Sequence, residues 1–207
     1  MPKRTSIPRK AIYRLSVYLR CLDRLKENAI NSVSSEALAT AAGVAPTQLR
    51  KDLTYFGQFG TRGLGYDVER LARKIRDTLG TTRLQPAVLV GVGNLGAALM
   101  AYRGFAPAGF EIVAGFDAVA RRRGQRLSQP MLPMNRLKDF VRARQVKIAI
   151  ITVPAAAAQD VANQLIQAGI TGILNFAPLV LHVPDHVIVN NVNVAIELEN
   201  LSYFIKG

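Results

Sequence analysis

Ala87-Val-Leu-Val-Gly91-Val-Gly-Asn-Leu-Gly96 is the stretch on which the fold of this chain turns. Its first four residues are apolar and have the makeup of a buried parallel strand. They run into three glycines spaced G-x-G-x-x-G, and a helical pattern follows over roughly Asn94–Tyr102. Glycines at that spacing are a weak signal alone. A strand before them and a helix after them supply the missing context. Gly91 allows a tight turn, Gly93 lets the backbone approach a pyrophosphate, and Gly96 lets helix and strand pack closely. The helix would then aim free N–H groups and its positive dipole end at the phosphates. Val92, Asn94 and Leu95 complete this turn as candidate cofactor-binding residues.

Downstream, Glu111–Phe116 reads as a second strand ending at Asp117, 21 residues past Gly96. A carboxylate there accepts hydrogen bonds from ribose hydroxyls and repels the 2′-phosphate of NADP, which favours NAD(H). Arg121, Arg122 and Arg123 pull the other way, since they can pair with a 2′-phosphate. Further strands are expected at Lys147–Val153, Gly172–Phe176 and Val187–Val192, with a helix over Ala155–Ala168. Strands alternating with helices predict an α/β domain of Rossmann type, a doubly wound parallel sheet. Thr152, Val153 and Pro154 lie at one strand end, and Asn175 and Phe176 at another, so both loops are placed to line a ligand site.

Upstream of residues 80–86 the apolar residues recur at helical spacing instead. Helices are expected over 8–27, 35–42, 46–56 and 67–79. In the first, Ile12, Leu15, Leu19 and Leu22 share a face, with Tyr18 and Leu25 beside it. Ser34 or Ser35 caps the second, Gly43 stops it, and Pro46 opens the third. Helix, short turn and helix form a helix-turn-helix pattern. On the third helix Leu49, Leu53 and Phe56 point inward. Thr47, Gln48, Lys51, Thr54 and Tyr55 point away with Arg50 at the flank, as donors and cations facing a major groove. Asp52 lies nearer the core and reads as a partner for a local cation. The glycine-rich run after Gly57, carrying Arg62, has the makeup of a β-wing whose arginine reaches a minor groove or a phosphate. Residues 1–62 carry 11 Lys/Arg against 4 Asp/Glu, a basic footprint that suits a polyanion such as double-stranded DNA.

Other classes fall away on composition. One cysteine in 207 residues precludes an internal disulfide framework, and a cytoplasmic setting follows as the simplest expectation. No apolar run reaches the ~20 residues of a membrane span. No His/Cys cluster suggests a metal, and the two histidines, His182 and His186, fall late on a loop. A dehydrogenase needs an acid–base group and a substrate domain. Neither is evident, so no catalytic residue is assigned. The expected domains are 1–80, winged helix, 81–193, Rossmann, and 194–207, a C-terminal helix with Val194, Leu198, Leu201 and Ile205 on one stripe. Two alternatives stay open, a small NAD(P)-dependent oxidoreductase and a CoA- or adenine-nucleotide-responsive regulator.

Several runs together resemble the Rex family of redox-sensing repressors. They are Arg50-Lys-Asp-Leu-Thr-Tyr-Phe-Gly57, Arg62-Gly-Leu-Gly-Tyr66, the glycine turn, Phe116-Asp117, Thr152-Val-Pro-Ala155, Gly172-Ile-Leu-Asn-Phe-Ala-Pro178, Glu197-Leu198 and Leu201-Ser-Tyr-Phe204. The resemblance implies a homodimer whose C-terminal helices are exchanged. It implies binding to operator DNA when free or loaded with NAD+, and release by NADH. It also implies a switch in which Tyr102 and Arg14 work with a residue before the exchanged helix, at Asn193. The family has an aspartate there. Asparagine hydrogen-bonds but carries no charge, so a charged pair with Arg14 is lost.

Overall fold

In the computed structural model the chain divides into two compact units, Met1–Arg83 and Leu84–Gly207. Residues 7–57, 59, 65–118 and 129–205 are described.

The first unit contains α1 (Arg9–Glu27), β1 (Ser32–Val33), α2 (Ser35–Ala41), α3 (Pro46–Thr54), β2 (Tyr66–Asp67) and α4 (Val68–Leu79). The boundaries follow local chemistry. Ser34 Oγ accepts the Ala37 N–H and starts α2, and Pro46 sits in the first turn of α3. Asp67 accepts the Arg70 N–H to start α4, which Gly80 closes in the left-handed region at φ +74. β1 and β2 pair antiparallel, Val33 opposite Tyr66, at the base of the glycine-rich run. The expected wing and Arg62 lie outside the described residues. Leu15, Tyr18 and Leu22 of α1 pack with Leu38, Leu49, Leu53, Leu71 and Ile75. The buried stripe of α1 is Ala11, Leu15, Tyr18 and Leu22, while Ile12 is 37% exposed, so the helix is rolled from the face expected. The cause is polar. Tyr18 turns inward to donate its hydroxyl proton to Asp52.

Asp52 is 0% exposed and ionised. Its Oδ2 accepts from Arg14 Nε at 2.5 Å and Tyr18 OH at 2.8 Å. Its Oδ1 accepts from Arg14 Nη2 at 2.7 Å and Gln48 Nε2 at 2.8 Å. Burial opposes the charge, but the hydrogen bonds from Arg14, Tyr18 and Gln48 outweigh it and hold the carboxyl below the usual range. The same contacts raise the Arg14 guanidinium further, and burial followed by the bond to Asp52 raises the Tyr18 phenol. The local cation expected for Asp52 is therefore Arg14, which ties α1 to α3.

The second unit is a six-stranded parallel sheet ordered β5-β4-β3-β6-β7-β8. Its strands are β3 (Gln85–Val90), β4 (Phe110–Asp117), β5 (Met131–Pro133), β6 (Ile148–Ile151), β7 (Gly172–Asn175) and β8 (Ile188–Asn191). The helices are α5 (Asn94–Ala101), α6 (Leu137–Ala143), α7 (Ala155–Ala168) and α8 (Val194–Phe204). This is the Rossmann order, with the reversal of winding between β3 and β6. The sheet buries Val88, Val90, Phe116, Ile151 and Ile173 on one side against Leu137 and Val141 of α6 and Leu165 of α7. Leu89, Ile112 and Ile150 pack with Met100 of α5 in a separate cluster. β5 and α6 fall in a segment given no element from sequence. Leu137 and Val141, one helical turn apart, were the available signal.

Removing Asp52 strands a buried phenol and a half-covered guanidinium. Asp52→Ala is expected to cost ~3 kcal/mol in urea unfolding. The Asp52 contribution is present above the unfolded carboxyl pKa of about 3.9 and is lost as pH falls below it. Wild type and Asp52→Ala should therefore draw together in stability below about pH 4.

Candidate functional site

Parallel pairing sets Val90, Phe116 and Ile151 level, and Ile151 level with Asn175. The loops after β3, β4, β6 and β7 thus emerge at one edge of the sheet, on the carboxyl ends of the strands.

The turn after β3 is held from both sides. The Gly91 N–H donates to Phe116 O of β4 at 2.8 Å. Thr152, after β6, donates its N–H to Val90 O at 2.9 Å and its hydroxyl to Gly91 O at 2.7 Å. Gly91 has φ +98, and a Cβ there would lie 2.8 Å from the Thr152 carbonyl. A Cβ on Gly96 would lie 2.1 Å from Gly91 O. Neither position accepts a side chain. Gly93 differs, for a Cβ there would meet nothing within 4 Å. It faces open space where α5 begins, and the first turn of α5 holds no acidic residue. Asn94 and Leu95 are exposed beside it. Asp117 accepts the Val92 N–H at 2.7 Å, which fixes a carboxylate beside the turn. Exposed N–H groups, open space at Gly93 and this carboxylate fit a pyrophosphate and a ribose.

Not every expected residue presents itself to that space. The Val92 side chain is 1% exposed and packs in the core, so Val92 acts through its backbone. Asn175 is a correction. It is 0% exposed, its Nδ2 donates to Leu179 O and Asn191 Oδ1 with Ala177 O also within 3.2 Å, and its Oδ1 accepts the Ala177 N–H. It shapes the loop and holds β7 to β8. Phe176 is half-buried beside the Leu89 cluster, Val153 is half-buried, and Pro154 is exposed. Tyr102 follows the last residue of α5, about 12 Å along the helix from its start, and is 60% exposed against the edge of Phe105. Asn193 caps α8, its Oδ1 accepting from the N–H groups of Ala195 and Ile196 at 3.0 and 3.4 Å. Arg121, Arg122 and Arg123 lie outside the described residues.

In the first unit Thr47, Arg50, Lys51 and Thr54 are exposed on α3, and Tyr55 is half-buried against Phe56. Arg50 makes a 3.5 Å pair with exposed Glu36. Gln48 is corrected from a fully outward residue, because its amide nitrogen is turned to Asp52. Arg14, expected at the switch, is the bidentate partner of Asp52. Spacing carried a signal for this network, since Arg14 and Tyr18 lie one turn apart on α1.

A helix-turn-helix unit with a basic outward face and a Rossmann unit with an open glycine turn define a nucleotide-responsive DNA-binding regulator. Comparison with known proteins gives the family. Residues 6–54 match the family described as "Putative DNA-binding protein N-terminus", and residues 82–179 match "CoA binding domain". A redox-sensing transcriptional repressor Rex of Carboxydothermus hydrogenoformans is 49% identical over 97% of each chain. The Streptomyces coelicolor Rex is 47% identical over 95% of this chain and 77% of its own length. A crystal structure of RSP in complex with β-NAD+ and operator DNA superposes with TM-score 0.89 at 35% identity, covering 96% of this chain and 92% of RSP. RSP in complex with β-NADH gives 0.86 at 33%, covering 98% and 95%. The chain belongs to the Rex family of redox-sensing transcriptional repressors. These relatives are transcriptional repressors.

The glycine geometry separates fold from ligand. Gly96→Ala should lose about 2 kcal/mol or more, since the new methyl meets backbone. Gly93→Ala should melt within a degree or two of wild type in thermal unfolding.

Proposed function

We propose that this chain represses transcription by binding operator DNA through α3 of a homodimer, and that NADH bound at the Gly91 turn releases it. The observation that carries the reading is the Gly91–Gly96 turn, locked by Thr152 yet open at Gly93, with Asp117 fixed beside it. Relatives seen with NAD+ and operator DNA, and with NADH, support it.

Both oxidation states share the adenosine and phosphate contacts, so discrimination lies with the nicotinamide ring. NADH must prefer a dimer conformation that binds DNA poorly, because a ligand shifts an equilibrium only by its differential affinity. Asp117 disfavours a 2′-phosphate, so the ligand is NAD(H) rather than NADP. Thr47, Arg50, Lys51, Thr54 and Tyr55 contact the DNA, joined by Arg62 from the wing. Tyr102 and Asn193 act at the switch, and Arg14 acts by fixing α3 from α1. The domains are the winged helix over 1–80, the Rossmann domain over 81–193 and the exchanged helix over 194–207. The protein works in the cytoplasm. Among the described residues no helix is long and apolar enough to cross a membrane.

α8 supports the dimer. It has no buried residue, and Val194, Ile196, Leu198, Leu201, Tyr203 and Phe204 are each at least 51% exposed. A second copy that covers this apolar face supplies about 1.5–3 kcal/mol per fully buried leucine. Leu198→Glu with Leu201→Glu should sediment as a monomer where wild type sediments as a dimer.

Gel-shift titration on a palindromic operator tests the switch. NADH should release the DNA, and NAD+, NADPH and CoA should not. CoA is included because of the family match over residues 82–179. Gly93→Ala should need roughly tenfold more NADH, equivalent to about 1.4 kcal/mol of lost binding. Release by CoA in place of NADH would overturn the reading.

A further inference from the structure

We propose that Gln48 is a specificity residue that presents its Oε1 acceptor to the N6 amino group of an adenine in the major groove. This rests on α3 being the DNA-contacting helix.

The inference starts from Asp52. An ionised carboxylate only accepts hydrogen bonds, and it has about four lone-pair sites. All four are taken, by Arg14 Nε, Arg14 Nη2, Tyr18 OH and Gln48 Nε2. Asp52 therefore cannot donate to Gln48 Oε1. The carboxamide is oriented by chemistry, nitrogen inward and oxygen outward. Among the described residues Oε1 meets no hydrogen-bond donor. It is not sealed in the core either, because the buried side-chain polar atom without a partner is Thr81 Oγ1.

Placement on α3 suits base reading. Gln48 is the third residue of the helix, half-buried at the rim of the outward face that exposed Thr47 and Lys51 form. Residues near the start of a recognition helix reach base edges. Adenine offers the groove an N6 donor beside an N7 acceptor, and guanine offers two acceptors, O6 and N7. Oε1 with the second Nε2 hydrogen complements adenine and opposes its acceptor to guanine O6. A glutamine free to flip loses part of this discrimination. The Asp52 clamp removes the flip, and Arg14 and Tyr18 hold the clamp.

The test uses the full chain and duplexes that it selects from a random pool. At one position of each half-site, replacing adenine by purine, which lacks the N6 amine, should weaken wild-type binding roughly tenfold in fluorescence anisotropy. Gln48→Ala should bind the two duplexes within about twofold of each other at that position. Asp52→Asn, which frees the amide to flip, should narrow the adenine-to-guanine ratio there. Its thermal melt and the salt slope of binding report whether fold and phosphate contacts persist. Should it not fold, the Gln48→Ala comparison decides alone. An undiminished adenine-to-purine ratio in Gln48→Ala at every position overturns the proposal and leaves the repressor reading standing. Selection of no sequence by wild type overturns both.

Discussion

The close approach of the Gly91 turn to Thr152 is the constraint on which the second unit depends. It occurs where the winding of the sheet reverses, between β3 and β6. Two neighbouring strands grip the turn, through Phe116 O on one side and Thr152 on the other. The grip leaves no room for a Cβ at Gly91 or Gly96. It also sets the start of α5, and so the direction in which the free N–H groups point. A binding cradle here is a by-product of tight packing beneath it. Gly91 and Gly96 let backbone meet backbone, and Gly93 between them is left facing open space.

The first unit solves a different problem. A short helix with a polar outward face has little apolar surface with which to hold itself. Leu49 and Leu53 supply the core contact of α3, and Asp52 between them supplies the orientation. Four hydrogen bonds on one buried carboxylate define both the roll of α1 and the rotamer of Gln48. A hydrophobic side chain at position 52 can fill space but cannot specify those directions. That is a use of a buried ion pair for geometry rather than for net stability.

α8 shows what a single chain leaves unfinished. Its apolar residues have no cover within the protomer, while Asn193 starts the helix as a neutral cap. Asparagine serves this cap as well as an aspartate would, and it carries no charge.

Much was legible in the sequence because short-range rules govern it. The G-x-G-x-x-G spacing, the strand–helix alternation and the Ser34, Pro46 and Asp67 helix starts each follow from local chemistry, and α7 spans the residues its pattern indicated. Asp117 was placed by distance along the chain. Sequence periodicity put Ile12 in the core face of α1, but tertiary structure put Tyr18 there, because the pull comes from Asp52, 34 residues away. Residue type and loop position mark Gln48 and Asn175 as ligand-facing, but folding turns one N–H of Gln48 to the Asp52 carboxylate and buries the whole Asn175 amide among backbone carbonyls and Asn191. Sequence alone determined the glycine turn, the strands around it and the helices that local caps start, though not β5 or α6. Tertiary structure alone decided which polar side chains are consumed internally, because hydrogen-bond partners distant in sequence are set by packing.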